Sequence, residues 1–201
     1  GEMNLSGRLS HGIKLPVNAM YIGILSRFEG IDPASGDSFI SVEHNTVILS
    51  GPEPQRTLLK QKLTWMLKNR HPKSVILGGK PDTGPTGTES ENIIYYNHLP
   101  AAAMRQIVEE SKVIITRSGY TTIMELVSLN RTALLIPTPG QTEQEYLASF
   151  LQMKGWFRWM PQHKIKDGVP MTSEPAPWKD EVLKESNTLL EKALEELSGK
   201  K

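Results

Sequence analysis

Short apolar segments alternate along the chain with longer segments in which apolar residues recur every three or four positions. The short segments lack the apolar–polar alternation of a half-exposed strand, so each is typical of a strand that is covered on both faces. They lie at residues 47–49, 75–77, 93–95, 113–115 and 133–136. Helical periodicity covers residues 58–67, 104–108, 123–129 and 146–153.

This alternation of strands and helices predicts the fold class. Strands that are joined through helices form parallel sheets with right-handed crossovers. We therefore predict an α/β fold, a Rossmann-like parallel sheet with helices on both faces.

The two ends of the chain depart from this pattern. Residues 1–44 hold one short apolar piece, "AMYIGIL", and the chain starts with glycine rather than methionine. We expect this part to be a linker and the remnant of a missing N-terminal domain. Residues 45–178 form the predicted Rossmann-like domain. Residues 179–201 are predicted to be an amphipathic helix of 3.6-residue period, which we expect to pack on the missing domain.

Composition excludes several functions. The 201 residues suit one domain, and 23 Lys and Arg residues nearly balance 22 Asp and Glu residues. This balance gives no basic surface for nucleic acid and no polybasic run for a membrane surface. The absence of cysteine excludes disulfides and zinc thiolates, and it fits a cytoplasmic location. The 5 histidines lack metal-ligand spacing and there is no Asp-x-Asp motif, so we predict neither a metal site nor a cofactor.

The loops that follow the predicted strands are the expected place for a ligand. Ligands of open parallel sheets bind beyond the carboxyl ends of the strands, and helix N-termini there favour anions. Four of the five loops contain glycine or a hydroxyl residue directly before a helix. The Walker lysine motif and the GxGxxG fingerprint are both absent, which argues against a nucleoside triphosphatase and against a nicotinamide or flavin enzyme.

The stretch "ITRSGYTT" at residues 115–122 joins a predicted strand to a predicted helix through a basic residue, a glycine and hydroxyl side chains. Thr121 and Thr122 precede Glu125 by four and three positions, so all three share one helix face. A phosphate-bearing ligand that is bound by the helix N-terminus could therefore reach Glu125 one turn into the helix.

Structural interpretations compete with this one. Thr122 and Glu125 also match a capping box, in which the carboxylate only satisfies backbone N–H groups. Thr142 and Glu145 match a second capping box, which we take as structural. Arg117 is alternatively a solvated surface residue. Gly51, in the loop after the first predicted strand, is explained either by a ligand that approaches this loop or simply by a tight turn between strand and helix.

The combined motifs resemble a known family. "RSGYTTIMEL" and "RTALLIPTPGQTEQEYLA", preceded by "NHLPAAAMRQIVEESKVIIT", resemble the C-terminal, donor-binding domain of two-domain (GT-B) glycosyltransferases. The resemblance is to the bacterial family 28 group, whose best-known member adds N-acetylglucosamine to the peptidoglycan lipid precursor. It is clear over residues 93–149.

The resemblance implies a role for each matching residue. The ribose hydroxyls would be bound by Glu125, and the uracil ring would meet the backbone at His98 and Leu99. Glu143 and Gln144 would lie near the donor sugar, although Glu143 departs from the residue of the peptidoglycan enzyme and leaves the sugar open. "SGPEPQR" replaces the family's glycine-rich phosphate loop. The residues implied to contact the diphosphate are Arg117, Ser118, Gly119, Tyr120, Thr121, Thr122 and Gly51.

The function implied by the resemblance is that of a donor-binding domain in an inverting, metal-independent glycosyltransferase. Such an enzyme transfers a sugar, with N-acetylglucosamine as one candidate, from a uridine diphosphate (UDP) sugar to an acceptor. The N-terminal acceptor-binding domain of the same parent chain would supply the general base, so we expect the isolated domain to be inactive. We expect a cytoplasmic enzyme, held at the inner face of a membrane if the missing domain attaches there.

Three alternatives stay open at this point. The chain is also compatible with a separate donor subunit of a split glycosyltransferase that works with a membrane-bound partner. A UDP-sugar 2-epimerase-like enzyme shares the architecture. A nucleotide-binding module without catalysis is the third alternative. The sequence upstream of residue 1 separates these best, because a second Rossmann-like half there would indicate a two-domain enzyme.

Overall fold

The computed structural model of the protein describes residues 4–12, 14–32, 40, 43–80, 88–178 and 180–199. Within them lie seven strands and five α-helices. The strands are β1 (His44–Ile48), β2 (Lys73–Leu77), β3 (Thr88–Ser90), β4 (Ile93–Tyr96), β5 (Ser111–Thr116), β6 (Leu134–Leu135) and β7 (Arg158–Trp159). The helices are α1 (Gln55–Leu67), α2 (Ala101–Glu110), α3 (Tyr120–Ser128), α4 (Thr142–Met153) and α5 (Asp180–Ser198).

The strands form one sheet in the order β3-β4-β2-β1-β5-β6-β7. All neighbouring strands are parallel except the edge pair β3 and β4, which is antiparallel. The chain runs outward from β1 through β2 to β4 and then returns to the other side of β1 as β5. The strand order therefore reverses between β1 and β5, and ligands of such sheets bind at this switch point, beyond the carboxyl ends of the strands.

Apolar cores on both faces explain why the strand segments show no alternation in the sequence. In β5, Ile114 points into a core that it shares with α2, α3 and α4. Its neighbours Val113 and Ile115 point into the opposite core, which α1 covers with residues such as Leu59. A strand that is buried on both faces needs apolar side chains at every position. The predicted fold class is confirmed.

Two short edge strands and one connection depart from the sequence pattern. β3 and β7 were not predicted, and each has only two or three residues. No helix lies between β2 and β4 in the described part of that connection, whose residues 81–87 are outside the described ranges. The predicted linker 1–44 and the predicted helix 179–201 likewise extend beyond the described residues at several positions.

The described residues of the N-terminal segment pack against the sheet domain. Their one helical element is a 3₁₀ turn at Gly7–Leu9. The side chains of Leu5 and Phe28 are buried in the core that contains α2, α3 and α4. Helix α5 then packs on this segment, since the Ser186 hydroxyl accepts a hydrogen bond from the Ile24 N–H at 2.5 Å. No helix in the described part of the chain is long and apolar enough to cross a membrane.

Candidate functional site

The loops after β1, β4, β5 and β6 open at the carboxyl edge of the sheet. They span residues 49–54, 97–100, 117–119 and 136–141. Gly51 of the first loop has a φ of +91°, which side chains other than glycine rarely adopt, and a Cβ atom built there would lie 3.9 Å from Thr138 Oγ1. The first and last of these loops are therefore neighbours at the switch point. Gly51 serves a tight turn and also lies at the predicted site.

Helix α3 begins at this edge with an uncapped N-terminus. Its N-cap residue, Gly119, has extended backbone and no capping side chain, and no acidic residue lies in the first turn. Apart from Gly119 itself and its two chain neighbours, no atom of the described residues lies within 4 Å of a Cβ atom built on Gly119. The first N–H groups of the helix have no hydrogen-bond partner within the described residues, and they suit an anion. Tyr120 and Thr122 are half-buried and Thr121 is exposed.

The helices on either side of this turn carry carboxylates at their own N-termini. Ahead of α1, Glu53 accepts the Thr57 N–H at 3.1 Å. Hydrogen bonds from the Thr57 side chain and backbone lower the pKa of Glu53 to about 2. The first turn of α4 contains Glu143 and Glu145. An anion is therefore favoured more at α3 than at α1 or α4, because these carboxylates would repel it.

Glu125 lies in the second turn of α3 and does not cap the helix. The alternative interpretation, a capping box with Thr122, is wrong, because the helix already begins at Tyr120. The Glu125 carboxylate is instead paired with Arg27, with Nε 2.8 Å from Oε1 and Nη2 3.1 Å from Oε2. Only 5 % of Glu125 is exposed. Burial raises the pKa of Glu125, and the positive charge and hydrogen bond of Arg27 oppose that rise.

Arg117 lies beneath the site with none of its surface exposed. Its guanidinium donates to the carbonyl oxygens of Ile136, Pro137 and Gln55 at 3.1, 3.0 and 2.9 Å. The interpretation of Arg117 as a solvated surface residue is therefore wrong. Burial lowers the pKa of Arg117 to about 10, which leaves it charged at neutral pH. The side chain ties the end of β6 to the beginning of α1.

Ser118 and Gln144 connect the turn before α3 to helix α4. The buried Ser118 hydroxyl donates to the Gln144 carbonyl oxygen at 2.8 Å. The Gln144 side chain accepts the Thr138 N–H at 2.9 Å and donates to Gln141 Oε1 at 2.6 Å. These bonds hold the loop after β6 against the turn after β5.

The second predicted capping box, between Thr142 and Glu145, is also wrong. Gln141 is the N-cap of α4, and Thr142 is already its first helical residue. Glu145 accepts the Gly140 N–H at 3.1 Å instead. Glu143 is exposed on the first turn of the helix.

His98 and Leu99 follow β4 at the same edge of the sheet. His98 is exposed, whereas Leu99 is buried in the core that contains α2, α3 and α4. Helix α2, which starts two residues later, packs against β1 and β5. The loop therefore leads from β4 toward the switch point, where the other predicted site residues lie.

Two residues at this edge were missed by the reasoning from sequence. Arg27 lies 98 residues before Glu125, in a segment that resembles a linker, so no local motif indicates the pair. Thr138 follows Pro137 and lies three residues beyond the end of β6. It is 2 % exposed, and its hydroxyl has no hydrogen-bond partner within the described residues. A hydroxyl at the carboxyl end of a strand was the available signal for Thr138.

The described residues contain no group of His, Asp or Glu side chains that could hold a metal ion. The arrangement is thus a Rossmann-like domain whose switch point carries an uncapped helix N-terminus and a buried carboxylate one turn further along. This is the class of domain that binds phosphorylated ligands at the carboxyl edge of a parallel sheet.

A protein-family model matches the chain and identifies its family. The model of the glycosyltransferase family 28 C-terminal domain matches residues 57–170, more than half of the chain, and the chain belongs to this family. The resemblance to the C-terminal domain of two-domain glycosyltransferases is thereby confirmed. A comparison with curated protein sequences finds no match.

Solved structures of glycosyltransferases share the fold. A glycotransferase of kitacinnamycin aligns with a TM-score of 0.52 and 16 % identity, over 85 % of this chain and 44 % of its own. The calicheamicin glycosyltransferase CalG4 aligns with a TM-score of 0.50 and 12 % identity, over 84 % of this chain and 42 % of its own. MurG of Acinetobacter baumannii aligns over 77 % of this chain and 42 % of its own, with a TM-score of 0.44 and 17 % identity. The chain thus spans less than half the length of these proteins.

Proposed function

We propose that this domain binds the UDP-sugar donor of an inverting, metal-independent glycosyltransferase. The observation that carries the proposal is the uncapped N-terminus of α3, with the buried carboxylate of Glu125 in the next turn. An N-terminal domain of the same parent chain would supply the acceptor site and the general base. The parent enzyme would work in the cytoplasm, at a membrane face if that domain attaches there.

The diphosphate would occupy the N-terminus of α3. The N–H groups of Gly119–Thr122 and the hydroxyls of Thr121 and Thr122 are the proposed donors, with Gly51 facing the phosphates across the switch point. The leaving diphosphate gains negative charge as the bond between the sugar and its phosphate breaks. Fixed N–H groups stabilise that charge without having to reorient, which lowers the barrier.

Arg117 and Ser118 have a supporting role in this proposal. The resemblance implies that they contact the diphosphate, but the described hydrogen bonds of both side chains go to backbone carbonyl oxygens. We propose that Arg117 positions the surrounding loops and adds positive charge from below. Ser118 would contact the phosphates through its backbone.

The nucleoside and the sugar would lie on either side of the diphosphate. Glu125 would accept hydrogen bonds from the ribose hydroxyls, and the backbone at His98 and Leu99 would meet the uracil ring. Glu143 is exposed on the first turn of α4, where a carboxylate can accept bonds from sugar hydroxyls. Gln144 would hold the neighbouring loop. N-acetylglucosamine is the proposed candidate sugar.

Isothermal titration calorimetry of the 201-residue chain tests the nucleotide assignment. UDP should bind at least about tenfold tighter than uridine monophosphate, because the second phosphate adds charge-assisted hydrogen bonds. ADP is the control for the base and should bind more weakly than UDP. A chelator should leave the affinity for UDP unchanged. Equal binding of UDP and uridine monophosphate, or tighter binding of ADP, would contradict the proposal.

The division of labour between domains has its own test. The 201-residue chain should bind UDP but transfer no sugar from UDP-N-acetylglucosamine, because the acceptor site is assigned to another domain. Turnover should return when the upstream half of the parent chain is restored. Transfer by the 201 residues alone would refute this assignment.

A further inference from the structure

The N-terminal segment lies directly against the residues assigned to the nucleotide. The backbone N–H of Arg8 donates to the Tyr146 hydroxyl at 2.7 Å, which anchors the segment to α4. Further along, the Ser128 hydroxyl donates to the Ser26 hydroxyl at 2.7 Å, which anchors the segment to α3. Phe28 is buried in the core next to these contacts. Arg27 is thus held between two anchored neighbours, beside Glu125.

We propose that Arg27 is a positioning residue of the ribose site and that it holds Glu125 ionised and correctly oriented for the ribose hydroxyls. This inference rests on the proposed function and adds a residue from the N-terminal segment to the donor site. The segment would then be part of the binding site rather than a linker.

The number of acceptor positions on Glu125 allows both partners to bind at once. An ionised carboxylate has two oxygens and about four lone-pair positions. Arg27 donates to each oxygen once, through Nε and Nη2. One position on each oxygen remains, and the two match the adjacent 2′- and 3′-hydroxyls of a ribose. The planar guanidinium fork fixes the plane of the carboxylate, so these positions keep one direction.

A buried carboxylate requires such a partner to remain ionised. Burial alone favours the neutral form, and Arg27 is the charged group that opposes this effect at Glu125. Without Arg27, Glu125 would take up a proton at a higher pH. A protonated carboxyl group has fewer acceptor positions for the ribose hydroxyls, so nucleotide affinity would be lost at that pH.

This arrangement selects for ribonucleotides. A 2′-deoxyribose fills only one of the two remaining acceptor positions and leaves the other, on a buried oxygen, without a donor. Leaving a buried charged acceptor unpaired is costly, so UDP should be favoured over 2′-deoxyuridine diphosphate. The ratio of these two affinities therefore reports on the geometry of Glu125.

The test compares Arg27→Gln, Arg27→Lys and the wild-type 201-residue chain by calorimetric titration with UDP and with 2′-deoxyuridine diphosphate. The matched control is Arg8→Gln, the same replacement at an exposed arginine of the same segment, whose described contact to α4 is made by the backbone N–H and is retained. Each titration is repeated from neutral to mildly acidic pH. Thermal melting confirms that each variant is folded.

We expect Arg27→Gln to weaken the binding of UDP about tenfold and to reduce the preference for UDP over 2′-deoxyuridine diphosphate. As the pH is lowered, the variant should lose affinity for UDP at a higher pH than the wild type does, because loss of Arg27 raises the pKa of Glu125. Arg27→Lys should fall between the two, since lysine keeps the charge and loses the fork. Arg8→Gln should behave like the wild type.

Several outcomes would overturn the inference. Unchanged or tighter UDP binding by Arg27→Gln would mean that Arg27 does not support the site, or that it competes with the ribose. Weaker binding with the same deoxynucleotide ratio and the same pH profile would mean that Arg27 only stabilises the segment. A wild-type chain that binds neither nucleotide would refute the proposed function itself, and this inference with it.

Discussion

Replacing Arg117 by lysine separates two possible roles for this residue, a direct contact to phosphate and the positioning of loops around the site. Lysine keeps the positive charge and a similar reach but loses the planar fork of donors. If Arg117 acts only as a point charge toward phosphate, its replacement by lysine should leave the stability of the domain unchanged. If it bridges backbone carbonyls, the replacement should lower the stability.

The size of the effect follows from the hydrogen bonds of the guanidinium. Arg117 donates to three carbonyl oxygens at 2.9–3.1 Å, and none of its surface is exposed. Each bond from a charged donor contributes about 1.5–3 kcal/mol. If lysine retains one of the three bonds, the gross loss is about 3–6 kcal/mol. Water entry and relaxation offset part of this, so we expect the free energy of unfolding to fall by about 2–4 kcal/mol.

Urea denaturation measures this change, and UDP titration under native conditions measures the consequence for the site. The matched control is Arg131→Lys. Arg131 is half-buried and its guanidinium, like that of Arg117, donates to a backbone carbonyl, but this carbonyl, of Ser111, lies at the opposite, amino edge of the sheet. Both variants should lower the denaturation midpoint, and only Arg117→Lys should weaken UDP binding. An Arg117→Lys chain with an unchanged midpoint and a lost affinity for UDP would refute the positioning role.

Two further predictions concern Glu125 and α5. Glu125→Gln should weaken UDP binding by about 1–2 kcal/mol and lower the melting temperature only slightly, because glutamine keeps one acceptor for Arg27, whose side chain is 47 % exposed and reaches water. The control is Glu109→Gln, which removes an ion pair with Arg105 on α2, and a melting temperature that falls while affinity holds would contradict the ribose assignment. Backbone amides of α5 should exchange hydrogen faster than those of β1 and β5. Exchange should be fastest after Ala193, because Leu194 and Leu197 are 56 % and 84 % exposed. Equal protection of α5 and the two strands would contradict this prediction.

The local features of the site were readable from the sequence, and its side-chain partners were not. The turn at Ser118–Thr122, the position of Glu125 on the next turn and the loops around it all follow from strand ends and helix starts. The two capping boxes failed because a motif of four residues does not fix where a helix begins. The start of α3 lies three residues earlier than its capping box requires and that of α4 one residue earlier, so Thr122 and Thr142 lie inside the helices.

The fold was determined by the sequence because its signal is local. Five apolar segments without alternation require cover on both faces, and helices between them require parallel strands. The edge strands β3 and β7 were not predicted because each is too short to show a pattern of its own. Each is a strand only because it pairs with a neighbouring strand.

The tertiary structure alone decided which charges meet. Arg27 reaches Glu125 across 98 residues, and Arg117 turns under the site to carbonyls of two other loops. In the sequence neither arginine belongs to a local motif that indicates its partners. Whether such a side chain is exposed or buried depends on which elements pack above it, and only long-range packing fixes that. The sequence thus determined a Rossmann-like domain with a turn of the kind that suits an anion, while the packing of the N-terminal segment decided the electrostatics of its carboxylate.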